Sequence, residues 1–434
     1  MSKYNVKDSN ETTQTVSIKK YGSTSKEDMI VAANPAIGSI ASGSLFLPVG
    51  MILNIPDDSV KKGKVKPKEI PVTPQPESVN NEDQPIENEE VSLVIDGVLF
   101  KFWQNCSITF PIDSFRTFSL SCPFQHMDEN WKTIFQPFKY QECVLYIGGV
   151  KVITSSMIKQ TRNSKSNSCT ITVEGYSKPG VLNDVSISSS AWPLSFNGLD
   201  LKQISEKLCK PLGINVVFES DQGSAFKNSD KIEVDPEKKI FDLLIDLATQ
   251  RNLIISDDEN GNLVFKKSTI ERATYSLIDG QYPVESCDIT FDGQPRYSDI
   301  TVLNSNRKSG SGSKYIISDN ELKRNGINRQ MVVKQDDIDT GGIKQAAQSQ
   351  WGRTLSASVN GSIDIIGWRT PEKKLFYPNT QFIFDSPQCG IYRSTEFLIK
   401  NVQYTKNPGS ITANLSIILP ESYGDTQPES MPWE

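Results

Sequence analysis

The chain has 434 residues, 37% of them hydrophobic, and its 46 lysines and arginines against 52 aspartates and glutamates leave a net charge of −6. That length is too great for one core and implies several domains. An acidic balance offers no basic face, so no sequence-specific nucleic-acid partner is expected. Seven scattered cysteines without a CxxC pair, and a single histidine, give no zinc pattern and no disulfide framework, so no cofactor or metal is expected.

The first 57 residues read as a small module. Tyr4–Val6 suits a short strand, and NETTQTVSIKKYG from Asn10 carries Val16 and Tyr21 at helical spacing, with Gly22 as a C-cap. TSKEDMIVAAN places Thr24 and Glu27 as a capping box, and Asn34-Pro35 ends that helix. From Met29 to Pro56 no residue is charged. That run is long enough to span a membrane, but Pro35, Gly38, Gly43, Pro48 and Gly50 break it too often for a lipid-exposed helix. The chain opens without a basic segment and compact apolar core, so no signal peptide is expected and folding in a reducing cytosol is.

The order β-α-α-β, with ANP followed by LPVGMILNIP, resembles a LysM module, in particular the LysM-like small tail proteins of contractile phages. The opening NETT, VS and YG meet the family pattern in part, with Asn10 for a Gly and Thr13 for a Leu. The resemblance implies a docking surface of Asn34, Pro35, Leu47, Pro48, Gly50, Ile55 and Pro56. These departures fall in the glycan groove, so protein docking is expected before peptidoglycan binding.

Residues 58–90 hold Pro67, Pro71, Pro74, Pro76 and Pro85 with a basic-to-acidic drift and cannot bury enough apolar surface to order themselves. Such a linker would average about 30 Å end to end, or roughly 100 Å as polyproline II.

From Val91 the pattern is mainly β. VSLVIDGVLFKFW, CSITFPI and FRTFSLSCPF have strand lengths and apolar patterning, and CVLYIGGVKVITSSMIK is a hairpin turning at Gly148-Gly149. GLDLKQISEKLCKPLG and PEKKIFDLLIDLATQRN then show amphipathic helical spacing around INVVF, before a hairpin at Asn260-Gly261. A last β region follows, interrupted by a helix over 342–352.

Candidate chemistry is sparse. His126 stands in a polar turn, CPFQHMDEN, and no GxSxG elbow supports a nucleophile. SDDENGN, from Ser256, resembles a calcium loop with Gly261 one position early and Ser268 where a glutamate should close it; it reads as a hairpin turn. KSGSGSK, from Lys308, fails the phosphate-loop spacing and reads as a loop tip. No enzymatic activity is expected.

QSQWGRTLSASVNGSIDIIGWRTPEKKLFYPNTQFIF is the informative stretch. Its Trp351 and Arg353, then Gly367-Trp368-Arg369, then Tyr377-Pro378-Asn379, then Leu398 to Val402, resemble in order and spacing the baseplate hub proteins of Mu-like contractile phages. That resemblance spans roughly 91–420. It implies two β-barrel-like hub domains plus an α+β domain, preceded by the βααβ LysM-like domain: 1–57 LysM-like module, 58–90 linker, 91–190 first barrel, 191–268 α+β domain, 269–420 second barrel, 421–434 flexible tail. It implies a virion protein assembled in the host cytoplasm, a homotrimer that joins the sixfold tail tube, or its initiator proteins, to a threefold central spike, with wedge or sheath proteins docked through the LysM-like module. The rival reading is a peptidoglycan-binding or wall-degrading protein targeted by LysM.

Overall fold

The computed structural model of the chain describes residues 2–6, 16–17, 19–20, 30, 33–34, 52–55, 89–166, 168–189, 192, 194–196, 198–220, 234–235, 237–251, 253–268, 272–304, 313–335, 343–423 and 431–433. It divides into two units, Met1–Thr73 and Pro74–Glu434.

In the first unit, β1 (Ser2–Asn5) pairs antiparallel with β2 (Ile52–Ile55), Ser2 opposite Ile55. Val6, Val16, Ile30 and Leu53 form its buried cluster. The run from Met29 to Pro56 lies mostly outside the described residues, and no described helix is long and apolar enough to cross a membrane.

The second unit is mainly β, built on a thirteen-stranded sheet. Its first array contains β3 (Val91–Ile95), β4 (Val98–Phe100), β5 (Asn105–Pro111), β6 (Thr117–Pro123), helix α1 (Glu129–Ile134), β7 (Glu142–Ile147), β8 (Val150–Lys165) and β9 (Ser168–Ser177). Asp96 and Gly97, both with positive φ, split VSLVIDGVLFKFW into a hairpin, as a primed turn demands. An α+β region follows: α2 (Leu201–Cys209), β10 (Val216–Phe218), α3 (Ile240–Gln250), β11 (Ile254–Asp257) and β12 (Leu263–Lys266). Asp200 and Gln203 cap α2 reciprocally, and both helices bury one apolar face in a cluster around Phe196, Leu244 and Phe265.

The second array contains β13 (Ser276–Ile278), β14 (Val284–Phe291), then β15 (Asp299–Asn304), β16 (Ser313–Ser318), α4 (Asn320–Arg324), β17 (Gln330–Gln335) and α5 (Ile343–Ser358), and finally β18 (Val359–Ile366), β19 (Gln381–Ser386), β20 (Ile391–Asn407) and β21 (Ser410–Ile418). Helix α5 passes through Gly352 and continues beyond the expected 352. Leu355 is buried in the sheet's core, and that burial offsets the roughly 1 kcal/mol helix penalty of glycine. The tail, expected to be flexible from 421, is tied down in two places. Tyr423 donates its hydroxyl to Asp113 at 2.8 Å, and Trp433 packs edge-on against Phe291.

Along the hydrogen bonds, the first array runs β3-β7-β8-β9-β6-β5 and the second β13-β19-β20-β21-β18-β14. With β4, which pairs only with β3, set aside and the other strands numbered within each array, the two orders are the same. The irregularities coincide as well. The β8–β9 ladder slips between Met157 and Lys159, opposite Gly175 and Glu174, and the β20–β21 ladder between Ile399 and Asn401, opposite Ile417 and Ser416. The β7–β8 ladder shifts between Leu145 and Tyr146, the β19–β20 ladder between Phe384 and Ser386. Two differences stand out. β3 is antiparallel to its neighbour while β13 is parallel, and the segment from β15 to α5 occupies the place of the short β5–β6 turn.

Candidate functional site

The two arrays join where β5 pairs with β20, from Asn401 opposite Pro111 to Lys406 opposite Cys106. Side chains from both arrays and from the α+β region meet there. Phe110 packs edge-on against Tyr404 at 5.2 Å and lies 5.5 Å from Tyr377, and Tyr404 packs edge-on against Trp368 at 5.5 Å. Trp368 is fully buried and its indole donates to the Thr412 carbonyl at 2.9 Å. Tyr404, also fully buried, donates its hydroxyl to the Phe376 carbonyl, and burial holds that hydroxyl well above its ordinary pKa.

Arg116, in the β5–β6 turn, sits over the Phe110 ring at 5.0 Å. Its Nη1 donates to the Val152 carbonyl at 2.6 Å. Its backbone N–H donates to Asp257 Oδ2 at 3.0 Å, and its Nε lies 3.2 Å from Oδ1. Burial pushes the Asp257 carboxyl above its ordinary pKa, and the Arg116 cation opposes that. A buried pair of this kind fixes how two elements meet, because removing either partner strands a charge away from water. Asp257 is therefore an architectural residue. The turn of SDDENGN is a hairpin, with Asp258 accepting from the Asn260 and Asn262 N–H groups, but its first aspartate is not on the solvated surface.

The hub-motif residues fall in two places. Gly367 (φ +87°), Trp368, Arg369, Pro378 and Asn379 lie at the junction. Arg369 Nη1 donates to the Lys373 carbonyl at 3.1 Å, and Asn379 takes φ +64° and donates its N–H to Ile399. Trp351 and Arg353 lie apart on α5, where Trp351 is buried with Ile300, Val302 and Ala347 against the β15–β17 sheet and Arg353 is exposed.

Of the LysM-like surface, Pro35, Leu47, Pro48, Gly50 and Pro56 lie outside the described residues, and Ile55 is described only as part of β2. Asn34 corrects the expectation of a docking residue. It is buried, donates to the Ile30 and Asn54 carbonyls at 2.7 and 2.8 Å, and accepts from the Asn54 N–H at 2.7 Å. Its side chain stitches a helical residue to β2, which uses both amide donors and one of its two acceptor sites.

Other chemistry is thin. His126 is exposed in a turn before α1. Asp279, Cys287 and Cys389 place potential ligand atoms within 4.8 Å of one another. Burial pushes the Cys287 thiol up to about 12, and Asp279 already accepts the Ser386 hydroxyl at 2.8 Å. A thiol that stays protonated is a poor metal ligand.

Comparison with known proteins agrees with this architecture. The family described as "Baseplate hub protein gp44-like, second domain" matches residues 180–267, the α+β region. Baseplate hub protein gp44 of Escherichia phage Mu is 25% identical over 328 residues, covering 73% of this chain and 84% of that protein. This chain is similar to the Mu-like baseplate hub proteins. Among solved structures, the 43 kDa tail protein of prophage MuSo2 from Shewanella oneidensis superimposes with a TM-score of 0.66 at 27% identity, over 77% of this chain and 99% of that one. The tail protein from Neisseria meningitidis MC58 shares the fold, with a TM-score of 0.64 at 17% identity over 78% of this chain and 99% of that one.

The sequence also held a signal that motif reading passed over. Cys106-Ser-Ile-Thr-Phe110 in β5 and Cys287-Asp-Ile-Thr-Phe291 in β14 share four of five residues, standing at the same place in the two arrays.

Proposed function

We propose that three copies of this chain close a ring at the centre of a contractile-tail baseplate, joining a sixfold tail tube to a threefold spike. The protein is a virion component of the tail, in keeping with its hub relatives. The observation that carries the trimer is the recurrence of one strand order, with the same ladder irregularities, in two halves of the chain. Residues 91–190 and 269–420 each supply one barrel-like hub domain, so three chains present six near-equivalent domains. One face then meets sixfold symmetry while the differences between the halves meet threefold symmetry. Such matching needs complementary surfaces and no active-site chemistry. The junction of Trp368, Tyr404, Phe110, Arg116 and Asp257 holds the two halves at a fixed angle, which a closing ring demands.

The first 57 residues form a LysM-like module on a linker over 58–90. It docks neighbouring wedge or sheath proteins, and the linker raises its effective concentration there. Light scattering after size exclusion tests the trimer: the full chain should run at three times its 48.3 kDa, and a chain that stays monomeric alone and with its spike would contradict it. Removing residues 1–57 should leave that mass ratio unchanged and weaken wedge or sheath assembly. Retention of the module on insoluble peptidoglycan would favour glycan binding instead.

A further inference from the structure

The in-chain junction specifies a second one. Tracing hydrogen bonds across each array, Thr117 on β6 faces Tyr176 on β9 and Thr109 on β5, while Asn360 on β18 faces Ile418 on β21 and Thr290 on β14. Thr290 thus stands where Thr109 stands, and Phe291 where Phe110 stands. The shared bulges set Lys159 on β8 at the place of Asn401 on β20, and Ser164 at that of Lys406.

β5 is covered by β20. β14, its copy, is not: among the described residues its backbone from Glu285 to Phe291 pairs with no strand but β18, and only the Cys389 thiol, 3.8 Å from the Cys287 carbonyl, reaches it besides. The segment of β8 equivalent to the landing strip on β20, from Lys159 to Ser164, likewise pairs with β9 alone. Burial follows the pairing. Phe110 is 0% exposed, and Phe291, although Trp433 touches it, remains 44% exposed. Unpaired edges of this kind are templates for another strand. Their charges are opposite: Glu285, Asp288 and Asp292 on or beside β14, and Lys159, Arg162 and Lys165 on β8.

We infer that β14 of one copy adds antiparallel to the second half of β8 in the next copy, repeating between chains the pairing that β5 and β20 make within one. The register of the in-chain pair, carried over, sets Asp292 opposite Lys159, Phe291 opposite Gln160, Thr290 opposite Thr161 and Ile289 opposite Arg162. Such a head-to-tail contact closes a ring. It rests on the trimeric reading above and adds which edges meet and in what register. The landing strip on β8 is more polar than that on β20, where Val402 and Tyr404 are buried, so this interface weakens with salt in a way the in-chain junction does not.

Cysteine pairing tests it on the full chain. Thr161 and Thr290 are exposed, so Thr161→Cys with Thr290→Cys should leave the fold intact. Mild oxidation should then link chains into a ladder ending at three, while Thr109→Cys with Gln403→Cys should link only within a chain. As a second readout, Lys159→Glu and Asp292→Lys should each raise the concentration needed for assembly by about tenfold, and together restore it. A trimer by light scattering in which the Thr161→Cys and Thr290→Cys thiols of different chains form no disulfide overturns this pairing and leaves the trimeric reading standing. A chain monomeric alone and with its spike overturns both.

Discussion

The β5 and β14 strands begin from nearly the same five residues and end in different environments. In β5, Cys106, Ile108 and Phe110 are buried because β20 lies alongside. In β14, Cys287 and Ile289 are half-buried and Phe291 is exposed because no described strand lies alongside in the same way. Each strand is followed by an arginine that anchors an aspartate of the next small unit: Arg116 holds Asp257, and Arg296 holds Asp319 at 3.0 Å. Each arginine also lies over an aromatic ring, Phe110 or Trp433. The difference teaches that burial here is decided by whether a partner strand belongs to the same chain, and not by the strand's own residues.

The sharpest way to break the comparison is to truncate both phenylalanines. Phe110→Ala removes a fully buried ring and should cost about 3–5 kcal/mol in denaturant unfolding. Phe291→Ala should cost about 1 kcal/mol in the isolated chain and act mainly on assembly. Equal losses would show that the two strands are not equivalent edges in different states of pairing.

The Asp257 anchor comes next. Asp257→Ala leaves Arg116 as an uncompensated buried cation and should also cost about 3–5 kcal/mol, whereas Asp257→Asn, which keeps an acceptor, should cost less. Because burial raises the Asp257 pKa in the folded protein, its proton stabilises the fold. That contribution is complete below the ordinary value of 3.8 and is lost as pH rises through the raised one. The stability of the wild type relative to Asp257→Asn should therefore fall as pH rises above the ordinary carboxylate value of 3.8. A relative stability that rises over that range would mean that Arg116 outweighs desolvation.

The smallest effect is expected where the two copies agree. Burial pushes the thiols of Cys106 and Cys287 both up to about 12, so only about one in 10⁴ is thiolate at pH 8. Mass spectrometry after iodoacetamide treatment of the native protein should find neither alkylated, and both alkylated in urea. Selective labelling of Cys287 would show a strand more open than described.

Much of this was legible in the sequence where local chemistry decides. The Gly148-Gly149 and Asn260-Gly261 turns and the amphipathic spacing of the two helices of the α+β region follow from neighbours within a few residues. What the sequence did not display depends on distant partners. Asp257 looks like one more acidic turn residue until Arg116, 141 positions earlier, is folded against it. Helix α5 outruns Gly352 because Leu355 finds the sheet's core. Asn34 looks available for docking until its amide is spent on Ile30 and Asn54. The repeat escaped notice because four matching residues out of five recur once, and the segment from β15 to α5 displaces the second copy's β6 equivalent far along the chain.

Amide hydrogen exchange across the assembly transition tests the central claim most directly, by following the peptide of Val284–Phe291 against that of Asn105–Pro111. The account predicts that Asn105–Pro111 is protected at every concentration, and that Val284–Phe291 gains protection only as trimers form. Trimers whose Val284–Phe291 amides exchange as fast as in the monomer would contradict it.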